Sequence, residues 1–156
     1  MVNKNIGEKM INILQDLFER DLEKLKTEIT AYKIPSKMWE VSGDISNSAG
    51  NLCLHICGNL QHFIGSVLGV SGYKRDRDSE FSRKNIPVDE LIKKIDHTSF
   101  TVKKTLNDLD VNKLDEIYPI NVFGKEMTTR FFLAHLTTHL NYHMGQINYH
   151  RKLLDK

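Results

Sequence analysis

The 156 residues are 40% hydrophobic and 27% charged, enough for one domain of ordinary size that needs neither disulfide nor metal merely to hold together. Lys and Arg number 22 against 20 Asp and Glu, a formal net charge of +2, so no basic excess exists to neutralise nucleic-acid phosphates. Mixed-sign charges and apolar residues recurring throughout argue against a disordered chain.

Ile6, Met10, Ile13, Leu14, Leu17, Leu22, Leu25 and Ile29 recur at three-and-four spacing and predict an amphipathic helix over 5–32. Lys4, Glu8 and Lys9 interrupt any secretory signal, which makes the cytoplasm the expected compartment. Ile34-Pro35-Ser36 stops this helix, since proline disfavours helix in the residue before it. After a turn at Ser42-Gly43-Asp44, a second helix is predicted over 47–68, closed by Gly69 and Gly72. Cys53 and Cys57 lie on it, opposite His55 and poorly aimed for a disulfide, as small core residues. The stretch Lys74-Arg75-Asp76-Arg77-Asp78-Ser79-Glu80 alternates in charge without apolar rhythm and reads as a solvated loop. A third helix starts near Pro87, whose fixed φ suits a first turn, and carries Val88, Leu91, Ile92, Ile95, Val102, Leu106 and Leu109. Residues 110–125 read as a long connection, and a fourth helix runs over 127–154. Four long helices and no strand predict an all-α four-helix bundle, with room for crossover connections after helices two and three.

Two segments carry no Asp, Glu, Lys or Arg: 29 residues from Ile45 to Tyr73 and 20 from Phe131 to His150. Six of the seven histidines lie in them. Neither reads as a membrane span, because histidine and amide side chains punctuate both. On helix two, Ser48, Asn51, His55, Asn59, His62 and Ser66 fall within about 40° of His55. A solvent face normally recruits Lys and Glu, so this uncharged polar stripe points inward.

On the last helix His135, His139 and His143 step by four, continued by Gln146 and His150. Such a ladder can close two imidazoles on one metal ion. His135 and His143 stand about 12 Å apart along the axis and cannot share an ion, so His139 has a choice of partner. Leu136, Leu140 and Ile147 lie on the side toward which His143 leans, which favours His139 with His143. His55 is the natural third donor. The pair His135 with His139, and His62 as donor from helix two, remain the competing sets. His97, between Asp96 and the apolar stripe, reads as solvated.

The segments Asn47-Ser48-Ala49-Gly50-Asn51-Leu52-Cys53-Leu54-His55-Ile56-Cys57-Gly58-Asn59-Leu60 and His135-Leu136-Thr137-Thr138-His139-Leu140-Asn141-Tyr142-His143-Met144-Gly145-Gln146 resemble the DinB-like (YfiT-like) superfamily of metal-binding helical bundles. Asp76-Arg77-Asp78-Ser79-Glu80-Phe81 is similar to a motif of an uncharacterised branch. The resemblance implies a divalent transition metal, nickel or zinc, with His55, His139 and His143 as ligands. It also implies a homodimer, and in some relatives a thiol S-transferase that joins a low-molecular-weight thiol to a small electrophile. Met144 stands where many members carry arginine. Asn51, Asn59 and Gln146 are candidates to orient ligands or substrate. A non-catalytic metal-binding or stress-accessory dimer is the alternative, and a metal-dependent hydrolase a further one. Neither ligand helix carries an Asp or Glu to serve as the base that hydrolysis needs. No nucleic-acid or membrane partner is expected.

Overall fold

A computed structural model describes residues 4–156. They form α1 (Lys4–Thr30), α2 (Ala49–Leu60), α3 (Arg77–Ser82), α4 (Val88–Asp108) and α5 (Thr129–Leu154). Among the described residues there is no strand, only an isolated bridge between Ile117 and Thr128. No helix among them is long and apolar enough to cross a membrane.

In α1, Ile11, Leu14, Phe18, Leu22, Leu25 and Ile29 make the buried stripe, while Ile6 and Ile13 fall outside it and are exposed. Every residue of α2 is buried, the packing counterpart of its lack of charge. Its first turn is capped by Ser48, whose side chain accepts from the Asn51 N–H at 3.3 Å. The expected helix over 47–68 does not continue regularly past Leu60. Gln61–Ser66 winds as a π-helical turn, in which the Val67 and Gly69 N–H groups reach back five residues to His62 and Ile64. Helix α4 starts after Pro87 as expected, with Asp89 and Glu90 favourably set against its dipole. Thr128 caps α5 by accepting from the Phe131 N–H.

Helix α1 packs on α4 and α5, and α2 packs on the same two helices and on α3. One apolar core fills the space between, with Phe18, Leu22, Leu25, Ile56, Leu60, Leu91, Ile95, Phe132 and Leu133 almost fully enclosed. Cys53 and Cys57 are buried in it as free thiols.

The charged stretch 74–80 departs from expectation. Rather than a solvated loop, its second half opens α3, capped by Asp76 accepting from the Ser79 N–H at 3.1 Å. Helix α3 lies against α2 and carries Glu80 to a position only 4% exposed. Its burial follows from a partner: Arg75 grips both carboxylate oxygens at 2.7 and 2.8 Å, which offsets the cost of taking the charge from water.

A candidate three-histidine metal centre

His55 lies mid-way along α2, and His139 and His143 stand one turn apart on α5. Their ligating nitrogens lie within 4.8 Å of one another. The His139 Nε2 atom is 3.4 Å from His55 Nε2 and 3.2 Å from His143 Nε2. Ligands about 2.0–2.1 Å from a tetrahedral ion stand about 3.3–3.4 Å apart, so these spacings suit a zinc-sized ion.

The other ring nitrogens settle the tautomers. His55 Nδ1 is 2.9 Å from Glu80 Oε2, an acceptor, and 3.3 Å from Arg75 Nη2, a donor that already serves Glu80 at 2.8 Å; the shorter contact puts the proton on Nδ1. His143 Nδ1 is 2.7 Å from Gln146 Oε1, again an acceptor. Both Nε2 atoms are therefore bare lone pairs, and both face His139 Nε2. A single proton on that nitrogen satisfies one of them and leaves the other facing an N–H edge that is already used. A cation between the three satisfies all. Protonation is resisted: burial, then the neighbouring His143, His55, His135 and Arg75, push His139 down to about 4. Burial lowers His143 as well, with His55 adding to it and the Gln146 bond opposing.

Glu80 is the residue that the sequence reading missed, along with Arg75. Burial alone would raise the Glu80 carboxyl, but the bonds from Arg75 and His55 hold it below the usual carboxylate range. Its approach to α2 depends on Gly58: a Cβ built there would collide with the carboxylate, standing 2.8 Å from its carbon and closer to Oε1. A glycine in a helix interior costs about 0.5–1 kcal/mol relative to alanine, and that cost was the signal in the sequence. The ring of Phe81 lies over His55 at 5.1 Å.

The remaining candidates disperse. Asn51 donates from Nδ2 to the carbonyls of Glu80 and Arg83, both at 2.9 Å, and so holds α3 rather than a histidine. Gln146 reaches His143 directly. Asn59 is buried and its Oδ1 has no hydrogen-bond partner among the described residues. His62 packs edge-on against Phe63, away from the cluster, and His97 is exposed. His135 rests on Phe123 and Phe132, its ring centre 6.0 Å from that of His139. His150 does not extend the ladder. It is buried between the Tyr32 hydroxyl at 2.7 Å and the Glu40 carbonyl at 2.8 Å. A cleft of about 780 Å³ between residues 67–73 and α4 includes none of the three clustered histidines.

A family described as "Protein of unknown function (DUF1572)" matches residues 5–156. The chain belongs to that family. No curated protein matches it. Membership of DUF1572 thus covers every element above, the three histidines, Glu80 and Arg75 included, and brings no assigned chemistry with it.

Proposed function

We propose that this protein holds one divalent transition metal ion, nickel or zinc, through His55, His139 and His143, and acts as a thiol S-transferase on a small electrophile. The observation that carries the reading is the pair of bare Nε2 lone pairs aimed at a third imidazole nitrogen at 3.2 and 3.4 Å. When bound, the ion lowers the pKa of a coordinated thiol and presents it as a thiolate. The chain's own residues orient and neutralise. Glu80 fixes the His55 tautomer through Nδ1, Arg75 keeps Glu80 ionised, and Gln146 fixes His143. Three imidazoles leave at least one position open for a ligand.

Hydrolysis is less well supported. Both Glu80 oxygens are engaged by Arg75 and His55, so this carboxylate is not free to activate water. The fold reading that goes with this function is a DinB-like four-helix bundle with crossover connections. Its support is that α1, α2, α4 and α5 share one core, with α1 packed chiefly on α4 and α5 and α2 packed on α5 and α4 as well as on α3. A cytoplasmic homodimer completes the reading, supported by exposed Tyr142 and Tyr149 on α5 with open space at Gly145 between them.

Metal analysis of the purified chain tests the ligand set. One ion per chain is expected, with His55→Ala, His139→Ala and His143→Ala each weakening binding strongly. His62→Ala, His97→Ala and His135→Ala should leave the stoichiometry near one. Retention in His143→Ala with loss in His135→Ala would move the site one turn along α5. Disappearance of thiol absorbance when a small thiol and an alkylating electrophile are mixed with the loaded protein tests the transfer step. A rate no faster than that of the chelated protein leaves metal binding without catalysis.

A further inference from the structure

Asn59 is only 6% exposed, and its Oδ1 is one of two buried side-chain polar atoms without a hydrogen-bond partner among the described residues. Leaving such an atom unpaired costs about 1–3 kcal/mol, so its presence calls for a ligand.

The surroundings say where that ligand sits. Around α2 at about 100° per residue, Gly58 lies about 60° from His55 on the side that meets Glu80 of α3, and Asn59 lies about 40° from His55 on the opposite side. His55 meets His139 of α5, and Phe63, in the π-helical turn beyond Leu60, meets Phe132 of the same helix edge-on at 5.2 Å. Asn59 therefore faces α5 in the interval between His139 and Phe132. That interval contains His135, whose ring also makes no hydrogen bond among the described residues and rests on Phe123 and Phe132. So two polar side chains without partners lie on facing helices, Asn59 one turn from His55 and His135 one turn from His139. One helical turn is about 5.4 Å, within the reach of a sulfur bound to the ion, about three bonds to a hydroxyl or amine, and the hydrogen bond that group donates.

We propose that Asn59 is a ligand-binding residue of this centre, its Oδ1 accepting a hydrogen bond from a hydroxyl or amine carried by the small thiol that occupies the open metal position. The inference rests on the metal and thiol reading above and narrows the substrate class to thiols with a proton donor about two carbons from sulfur. The rings of Phe63 and Phe123 both pack edge-on against Phe132 on α5.

The test uses cobalt-loaded protein titrated with 2-mercaptoethanol and with ethanethiol, following the thiolate-to-cobalt absorption band as the thiol proton leaves to buffer. The wild-type chain should favour 2-mercaptoethanol by about two- to tenfold more than Asn59→Leu does, the equivalent of one buried hydrogen bond. Ethanethiol should bind both proteins alike. An unchanged preference in Asn59→Leu overturns this inference and leaves the metal reading intact. No band with either thiol overturns the thiol reading and this ligand class together. A second measurement needs no metal. Thermal unfolding of the chelated protein should show Asn59→Leu at least as stable as wild type, since an unpaired amide is removed. A clear loss of stability would make Asn59 a structural hydrogen-bonder and overturn the proposal. Asn59→Ala in the cobalt titration gives the same thiol comparison if the leucine variant does not fold.

Discussion

Gly58 shows how one missing Cβ shapes a site it never touches with a functional group. On an exposed helix, replacing glycine by alanine stabilises by roughly 0.5–1 kcal/mol. Here the added methyl meets Glu80, which cannot retreat without releasing His55 Nδ1 or Arg75. Gly58→Ala is therefore expected to keep its helical circular dichroism while metal affinity falls about 10- to 100-fold, the usual effect of losing the group that orients a ligand histidine. Competition with a chromophoric chelator measures this, and unchanged affinity would show that Glu80 does not position His55. Glu80→Gln should lose less affinity than Glu80→Ala, because its amide oxygen still accepts from Nδ1 while the charge opposite Arg75 is gone.

Helix α3 is six residues long and depends on its neighbours for its position. Asn51 ties it to α2 with two hydrogen bonds to backbone carbonyls, and Lys84 and the Ser48 hydroxyl occupy the amide oxygen on the other side. Asn51→Leu leaves those carbonyls without partners and is expected to cost about 1–3 kcal/mol in the urea unfolding of the chelated protein. It should also weaken metal binding, because Glu80 rides on α3. Loss of stability with full metal affinity would uncouple the two. The contrast with α2 and α5 explains what the sequence made legible. Those helices are long enough for a 3.6-residue period to show, so the convergence of His55, His139 and His143 could be reasoned from phase. Lack of charge marked α2 as enclosed, whereas α5, equally uncharged over 131–150, leaves Phe131, Tyr142 and Tyr149 exposed. A six-residue helix shows no period, and alternating charge looks the same whether solvated or gripped by Arg75. Glu80 meets His55 across 25 residues of chain, a pairing that no local pattern encodes. The π-helical turn at Gln61–Ser66 was hidden for a related reason, since it changes backbone bonding without changing which residues are apolar.

The molecule as a whole should respond to acid in two stages. In the chelated protein His139 is held down to about 4 by burial, then by His143 and its other neighbours, and burial lowers His143, His135 and His62 in the same direction. The unfolded chain then binds more protons than the folded one below an ordinary histidine pKa of about 6.5, so stability is full above that pH and falls as pH drops toward 4. His139 alone contributes about 2–3 kcal/mol to this loss once its partial exposure is allowed for. The second stage belongs to carboxylates held below their usual range. The Lys33 and Ile34 N–H groups hold Asp155 down, and at Glu28 the Arg151 and Asn148 bonds overcome the opposing effect of burial. Their contribution is present above about pH 4 and disappears as they protonate below it. Metal binds only the neutral imidazoles, and the folded chain keeps His139 neutral down to about 4, so the extra stability of the loaded protein should persist through the first interval and shrink as pH falls through about 4. Urea unfolding of chelated and loaded protein at pH 8, 6, 5 and 4 measures both curves. His139→Leu, chelated, should lose less stability than wild type between pH 6.5 and 4, with its loss below pH 4 unchanged. An identical slope in that variant would mean that the three-histidine cluster does not resist protonation in the folded chain, and with it would go the argument that its lone pairs stand free for an ion.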